Sequence, residues 1–463
     1  MTHRLPEGET ISPILQTIRW VKDPLEYLQY CQQKYGDIFT MNIGPISQPQ
    51  VLISDPEVLK ILFSLGYDES NSGKPANPGL DIPLIGKNGI TMASGQNHQR
   101  LRKLLKPAFH GEQIKQQQEQ ICDLTQKITC KYWSQWQQNK SDYILINHVA
   151  REISTEVIFK VVLGLDENNQ RQNQIKELLS EIISPKRLIV NSIFFLFPFL
   201  RIDLGPLSPG GKHKREMEQL DRLIYAEIQE RRSTLIQDNE QHNDILSQMV
   251  VVRDEDGNSL SEAEIRDQMM TLLVAGFETT STALSWAIYW VSYIKDVKTK
   301  LLNEINSSDP TELMGKDAFP YLDAVCSEAL RICPPALLGF RRIVKKPVEI
   351  ANYCFEPGTI LTPCVYLLHH QEQIYPQPKQ FQPERFLTHT FMQNEYIPFG
   401  GGKRKCLGQA LALFEIKLVL LTIFKNWDIR LADESSPETP VSSGVMLTPK
   451  NKVKATLKKR ERN

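Results

Sequence analysis

The segment FGGGKRKCLG, Phe399 to Gly408, sets Cys406 behind three glycines and three basic residues and directly ahead of an apolar run. The thiolate, not the thiol, ligates metals and attacks electrophiles. This setting favours it twice, because loop N–H groups can donate to sulfur and the positive end of a following helix lowers the thiol pKa. Glycines also let the backbone turn sharply and approach a flat ligand without Cβ clashes. Two other readings compete. A lone cysteine can be a buried structural thiol, and glycines ahead of a helix can cradle phosphate. The phosphate loop fails on detail, since no G-K-[ST] follows and a cysteine stands where the metal-binding hydroxyl belongs.

A second set is AGFETT, Ala275 to Thr280, in which Glu278 and Thr279 offer an acid and a hydroxyl able to relay protons. Gly276 removes a side chain where a ligand would approach. In isolation the string reads as a glycine and two threonines tolerated in a core helix. Glu328 and Arg331, three apart, share a helix face, which ordinarily means a surface ion pair. No C-x-x-C pair exists among the eight cysteines, so neither a zinc ribbon nor an iron–sulfur cluster is encoded.

These residues need elements to hold them. Ser261 and Glu264 form an S-x-x-E capping box, and apolar periodicity continues from Ile265 to about Ile294, so a helix of roughly 30 residues, about 45 Å long, should carry Glu278 and Thr279. Another helix should start at Pro320 and stop before Pro334 and Pro335, carrying Glu328 and Arg331. A third, from about Leu407 to Phe424, should follow Cys406. Helical patterning also covers Gln96 to Gly164 and Gly211 to Arg232. Strands are expected as a pair within Tyr35 to Ser54, separated by Gly44 and Pro45. Further extended segments are expected at Val348 to Tyr353 and Thr359 to Leu368, with a terminal hairpin within 427–457. No internal repeat or low-complexity linker appears. The economical reading is one mainly α domain over 1–463 with minor sheet regions at about 35–54, 348–368 and 427–457.

The string F-x-x-G-x-R-x-C-x-G, matched at every fixed position from Phe399 to Gly408, resembles the haem-binding signature of the cytochromes P450. The resemblance runs from about Leu5 to the terminal strands. It implies the cytochrome P450 fold, with haem b (iron protoporphyrin IX) between the long central helix and the cysteine loop. It implies Cys406 as axial thiolate, Phe399 beside the sulfur, Gly408 closing the motif and Arg404 on a haem propionate. AGFETT resembles the family's oxygen-activation motif, giving catalytic roles to Glu278 and Thr279. PERF, Pro383 to Phe386, adds Arg385 to Glu328 and Arg331 as a buried structural network. His98 and Arg102 stand at the family's W-x-x-x-R spacing, with histidine replacing tryptophan, and imply a further propionate contact. Arg341, or its neighbour Arg342, implies another. Carried over by position, Ile85, Ala275, Ala336, Leu337 and Val445 line the substrate pocket. They are apolar and suggest an acyl chain or terpenoid. LPEG, YGDIFTMNIG and GFRR look most like cyanobacterial members that hydroxylate fatty acids or terpenoids.

The remaining expectations concern partners and place. Lys plus Arg and Asp plus Glu both total 54, so no global charge draws the chain to nucleic acid or anionic lipid. With no flavin or ferredoxin module encoded, electrons must come from a ferredoxin or flavodoxin with its NAD(P)H-dependent reductase. Arg100, Lys103, Lys403 and Lys405 would offer a basic docking face. The polar N-terminus lacks signal-peptide order, and no apolar run is long enough to span a bilayer, so a cytoplasmic monomer is expected. The apolar SIFFLFPFL, Ser192 to Leu200, would form a lid over the substrate channel or make transient membrane contact. A peroxygenase or isomerase of the same family, and a haem sensor or carrier, are the competing functions. Members of the first kind commonly lose the acid–threonine pair retained here, and the second needs no apolar pocket or proton relay.

Overall fold

The structure, a computed structural model, describes residues 5–43, 49–66, 70–71, 84–109, 111–139, 141–164, 166, 168–182, 203, 205, 208–237, 244–308, 318–443 and 446–460. Gly44, Pro45, Val445 and the apolar segment 192–200 lie outside the described residues. Contacts fall into two compact units. One comprises Met1–Asn71, Ile114–Thr155 and Phe277–Asn463, and the other Ser72–Gln113 and Glu156–Gly276.

Seven helices carry the residues of interest: α1 Pro56–Ser64, α2 Gly95–Leu105, α3 Ile146–Leu163, α4 Glu262–Tyr293, α5 Pro320–Ile332, α6 Val365–His369 and α7 Gln409–Asn426. The division between units falls within α3 and within α4. Helix α4 starts as its capping box requires. Ser261 N–H donates to Glu264 Oε2 at 2.9 Å, and Glu264 N–H donates to Ser261 Oγ at 3.2 Å. It then runs 32 residues. Its last turns, Ala283 to Val291, are buried on every side, which makes this half a core helix. Helix α5 takes Pro320 in its first turn and ends at Ile332, where the coming Pro334 disfavours helical backbone.

In the first unit a five-stranded sheet is built from β1 Ile38–Met41, β2 Gln50–Ile53, β3 Ser70–Asn71, β4 Arg342–Val344 and β5 Ile360–Pro363, in the order β1-β2-β5-β4-β3. β1 and β2 pair antiparallel as expected, and β2 runs parallel to β5 with Gln50 opposite Ile360. Against this sheet α1 packs Val58, Leu59 and Leu62, which join Val51, Ile53, Leu361, Val365, Leu368 and Ile397 in one apolar cluster. Each such side chain, fully buried, stabilises the fold by about 1.5–3 kcal/mol. Ile397 matters most for function, because the cysteine loop follows it.

Three expectations need correction. The extended segment ends at Pro363, and Val365 to His369 turn instead into α6, whose residues are all buried. A short apolar run bounded by turns reads equally as buried strand or buried helix. Arg342 to Val344 forms a strand that was not expected. The terminal hairpin forms, Pro440–Ser443 against Met446–Pro449. Beside it Trp427–Leu431 pairs with Lys454–Lys459, which also pairs with Ile144–Leu145, inside a stretch expected to be helical.

Candidate active site

The cysteine loop is closed by its own backbone. Gly400 N–H donates to Ile397 O at 2.9 Å, Lys405 N–H to Gly402 O at 3.1 Å and Cys406 N–H to Phe399 O at 2.9 Å, around a 3-10 turn at Gly402–Arg404. Gly402 has φ +63°, and a Cβ there would lie 2.3 Å from Phe63 O, while one at Gly401 would lie 2.4 Å from the Phe63 ring. Two of the three glycines therefore let α1 pack closely against the loop. Gly400 and Gly408 face open space. Phe399 is half-buried, and Cys406 is exposed three residues before α7 begins. Cys31, Cys326, Cys333 and Cys364 are buried, and burial pushes their thiols up, to about 12 for Cys31 and Cys364. Those four are inert packing groups. Cys406 differs from them in being exposed.

The arginines separate by what they hold. Arg342, buried on β4, donates to Phe340 O at 3.0 Å and to Gly401 O at 3.3 Å, bracing the cysteine loop. Its neighbour Arg341 is half-buried, and burial depresses its guanidinium pKa. A desolvated cation is stabilised by a nearby anion, so Arg341 suits a carboxylate better. Arg404 is buried on the 3-10 turn of the same loop. In the second unit, α2 carries buried His98 and, one turn on, half-buried Arg102. Arg100 of that helix is bonded to Asp254 at 2.7 Å and Glu264 at 2.8 Å, and Lys103 to Glu255 at 2.9 Å. Half of the expected basic docking set is thus held in the unit's own ion pairs.

Glu328, Arg331 and Arg385 are brought together. Arg331 Nε and Nη2 donate to the two Glu328 oxygens at 2.7 and 2.8 Å, and Arg385 Nε donates to Oε1 at 3.1 Å. Gln382 N–H adds a bond to the same oxygen at 2.9 Å. Both Glu328 and Arg331 are 0% exposed. This is a buried bidentate pair, not a surface bridge.

On α4 the sequence's acid and hydroxyl point apart, because adjacent helical residues lie about 100° apart. Burial raises the Glu278 carboxyl pKa, with the charge of Arg151 on α3 opposing, and that guanidinium sits 5.2 Å from the Phe277 ring centre. Thr279 lies instead on the face of Ala275, one turn earlier, which is exposed although it stands mid-helix. Gly276 serves packing: a Cβ there would meet Ile158 Cδ1 at 2.5 Å. Of the expected pocket residues, Ala336 keeps partial exposure, while Ile85 and Leu337 are buried at 4% and 2%. The loop carrying Ile85 is tethered to α4. Asp267 accepts from Asn88 N–H and Nδ2 at 2.9 Å each, and Gln268 accepts from Ile90 N–H at 2.9 Å. Sequence reasoning missed these tethers, and Arg151, because isolated polar residues on a helix carry no spacing signal.

It also missed Glu415, on α7 nine residues after Cys406. Neither Glu415 Oε1 nor the nearby Ser154 hydroxyl has a hydrogen-bond partner among the described residues. Burial pushes the carboxyl from an ordinary 4.5 up to about 8. A raised carboxyl keeps the fold's full stability below its unfolded pKa and loses it as pH climbs toward the folded value, at about 1.4 kcal/mol per unit. Glu415→Gln should therefore leave the urea midpoint unchanged near pH 4.5 and raise it at pH 8. Equal midpoints at both pH values would show that this carboxyl is hydrated.

These residues fit haem. Among the described residues no three His, Cys, Asp or Glu side chains converge, so a metal held by one thiolate and a macrocycle suits the chain better than a chelated ion. Arg341 and Arg404 carry guanidinium groups, a geometry that suits carboxylates such as haem propionates. The comparisons agree. The cytochrome P450 family model matches residues 6–456. Cytochrome P450 135B1 of Mycobacterium tuberculosis is 30% identical over 450 residues, covering 96% of this chain and 89% of that relative. Cytochrome P450 135A1 of the same organism is 27% identical over 451 residues, covering 97% and 94%. The solved structure of retinoic acid bound cyanobacterial CYP120A1 shares the fold, with TM-score 0.79, 23% identity, and 99% and 100% of the two chains covered. The chain belongs to the cytochrome P450 family and is a haem-iron monooxygenase.

Proposed function

We propose that this P450 binds haem b through Cys406 and inserts one oxygen atom of O2 into a fatty acid, terpenoid or similar lipid. The carrying observation is the α4 face on which exposed Ala275 precedes Thr279 by one turn in an otherwise well-buried helix. When bound, haem supplies an iron whose thiolate ligand favours O–O cleavage. Arg341, Arg404, Arg102 and His98 would hold the propionates, Phe399 would shield the sulfur, and Gly408 would leave room beside it. Thr279 Oγ1 presents a proton at the site, and Glu278, whose raised pKa keeps it protonated to higher pH, resupplies it. Ala275, Ala336, Leu337, Ile85 and Val445 favour an apolar substrate. Cyanobacterial CYP120A1 was solved with retinoic acid bound, a lipophilic carboxylic acid of the kind proposed here.

We propose a single haem domain over 1–463. Electrons arrive from a ferredoxin or flavodoxin with its NAD(P)H-dependent reductase, docking where Lys403 is exposed beside Cys406. Unbridged thiols at all eight cysteines suit a reducing compartment such as the cytoplasm, and we place a monomer there. No helix among the described residues is long and apolar enough to cross a membrane. The test is a reduced carbon monoxide difference spectrum followed by spectral titration with a lipid library. A thiolate-type band and saturable shifts with fatty acids or terpenoids are expected. A missing band would remove the Cys406 assignment, and shifts only with polar ligands would remove the lipid class.

A further inference from the structure

A buried histidine that the proposed mechanism does not use lies between the Glu328 network and the cysteine loop. His369 closes α6 and is 0% exposed. Its carbonyl accepts from Arg331 Nη1 at 2.8 Å, and its ring Nε2 lies 2.9 Å from the backbone nitrogen of Ile397. A backbone N–H only donates, so Nε2 must be the lone-pair nitrogen and the proton must sit on Nδ1. The next links are backbone. Ile397 O accepts from Gly400 N–H, and Phe399 O accepts from Cys406 N–H, each at 2.9 Å. The ring stacks on Tyr396 at 5.5 Å, and the Tyr396 hydroxyl donates to Ser327 O at 3.0 Å, one residue before Glu328.

We infer that His369 is a positioning residue for the iron ligand: its neutral imidazole fixes the backbone at Ile397 and so couples the Glu328–Arg331 pair to the placement of Cys406. This rests on Cys406 being that ligand. The chemistry leaves the ring one working state. An imidazolium has no lone pair for Ile397 N–H and would add charge beside Arg331. Burial first, and the Arg331 charge second, hold the His369 pKa well below the ordinary range. Nδ1 makes no hydrogen bond among the described residues, so the ring's one polar contact is the acceptor bond to Ile397. A histidine retained only for its shape would not need that acceptor.

The test compares His369→Gln with His369→Met in the holoenzyme. The two side chains are alike in length, but only glutamine keeps a strong acceptor. Haem content and thermal midpoint are measured beside the reduced carbon monoxide spectrum. At equal haem content the Gln variant should keep the wild-type thiolate band, and the Met variant should place on the order of tenfold more haem in the form without it, as expected when a buried N–H loses its partner. A Met variant with the wild-type band, or a Gln variant that loses it equally, overturns the inference. Amide exchange on the wild type decides the matter even if the Met variant does not fold. Ile397 and Cys406 N–H should share one protection level, and a fast Ile397 beside a protected Cys406 overturns the coupling. A wild type that holds haem without the thiolate band fails differently: it removes the Cys406 assignment itself, and this inference with it.

Discussion

Glu328→Ala should cost about 3–5 kcal/mol of stability and most of the bound haem, because it leaves the Arg331 guanidinium charged, buried and missing its two strongest bonds. The magnitude follows from burial rather than from the pair's own attraction. Both partners are 0% exposed, and Arg331 is otherwise held by the His369 carbonyl at 2.8 Å and the Gln380 carbonyl at 3.3 Å, which cannot neutralise it. Arg385 and the Gln382 amide lose a partner in the same step. An exposed pair makes the contrast. Lys60 and Glu57 stand 3.7 Å apart with side chains 65% and 67% exposed, and Glu57→Ala should change stability by less than about 0.5 kcal/mol. The measurements are urea denaturation and haem content of each purified variant. Glu328→Gln keeps one acceptor oxygen and should fall between wild type and alanine. If Glu328→Ala matches the wild type in both readouts, the network carries no structural load.

What was legible in the sequence was local. The Ser261–Glu264 box and Pro320 mark helix starts because a cap or a proline acts on its own neighbours, and both helices begin there. The spacing around Cys406 was legible for the same reason, since the loop closes within eight residues through the bond from Cys406 N–H to Phe399 O. Illegible features depend on distant chain. Pairing of Gln50 with Ile360 joins residues that share no local signal, and it is this pairing that sets β5 and hence α6 where His369 can meet Ile397. The glycines illustrate the limit most clearly. Gly276, Gly401 and Gly402 are visible as glycines, but whether each admits a ligand, Ile158 or Phe63 depends on what packs there. Arg341 and Arg342 are equivalent as text and become distinct only when β4 turns one toward the Gly401 carbonyl.

Thr279→Ala should slow the proton-delivery step by about 10²–10⁴-fold, the usual contribution of a positioned proton donor, and so cut the oxygenated product formed per electron, while sparing folding and binding. The fold should tolerate the change because alanine is a better helix former than threonine and the lost group is small. Haem content and affinity for apolar ligands should remain near wild type, since Ala275, which flanks the same face, is untouched. Electron consumption should continue, with hydrogen peroxide released in place of product, because the protons would no longer arrive from Thr279 Oγ1. Thr279→Ser retains the hydroxyl and should recover most of the coupling. Glu278→Gln separates the next step. Its carboxyl sits toward Arg151 rather than on the Thr279 face, so losing it should slow resupply of the proton and lower the rate more than the product yield per electron. Product, peroxide and cofactor consumption are measured together for each variant. A wild-type ratio of product to electrons in Thr279→Ala would mean that the hydroxyl only packs within α4, and the proton would have to be assigned to another group on that face.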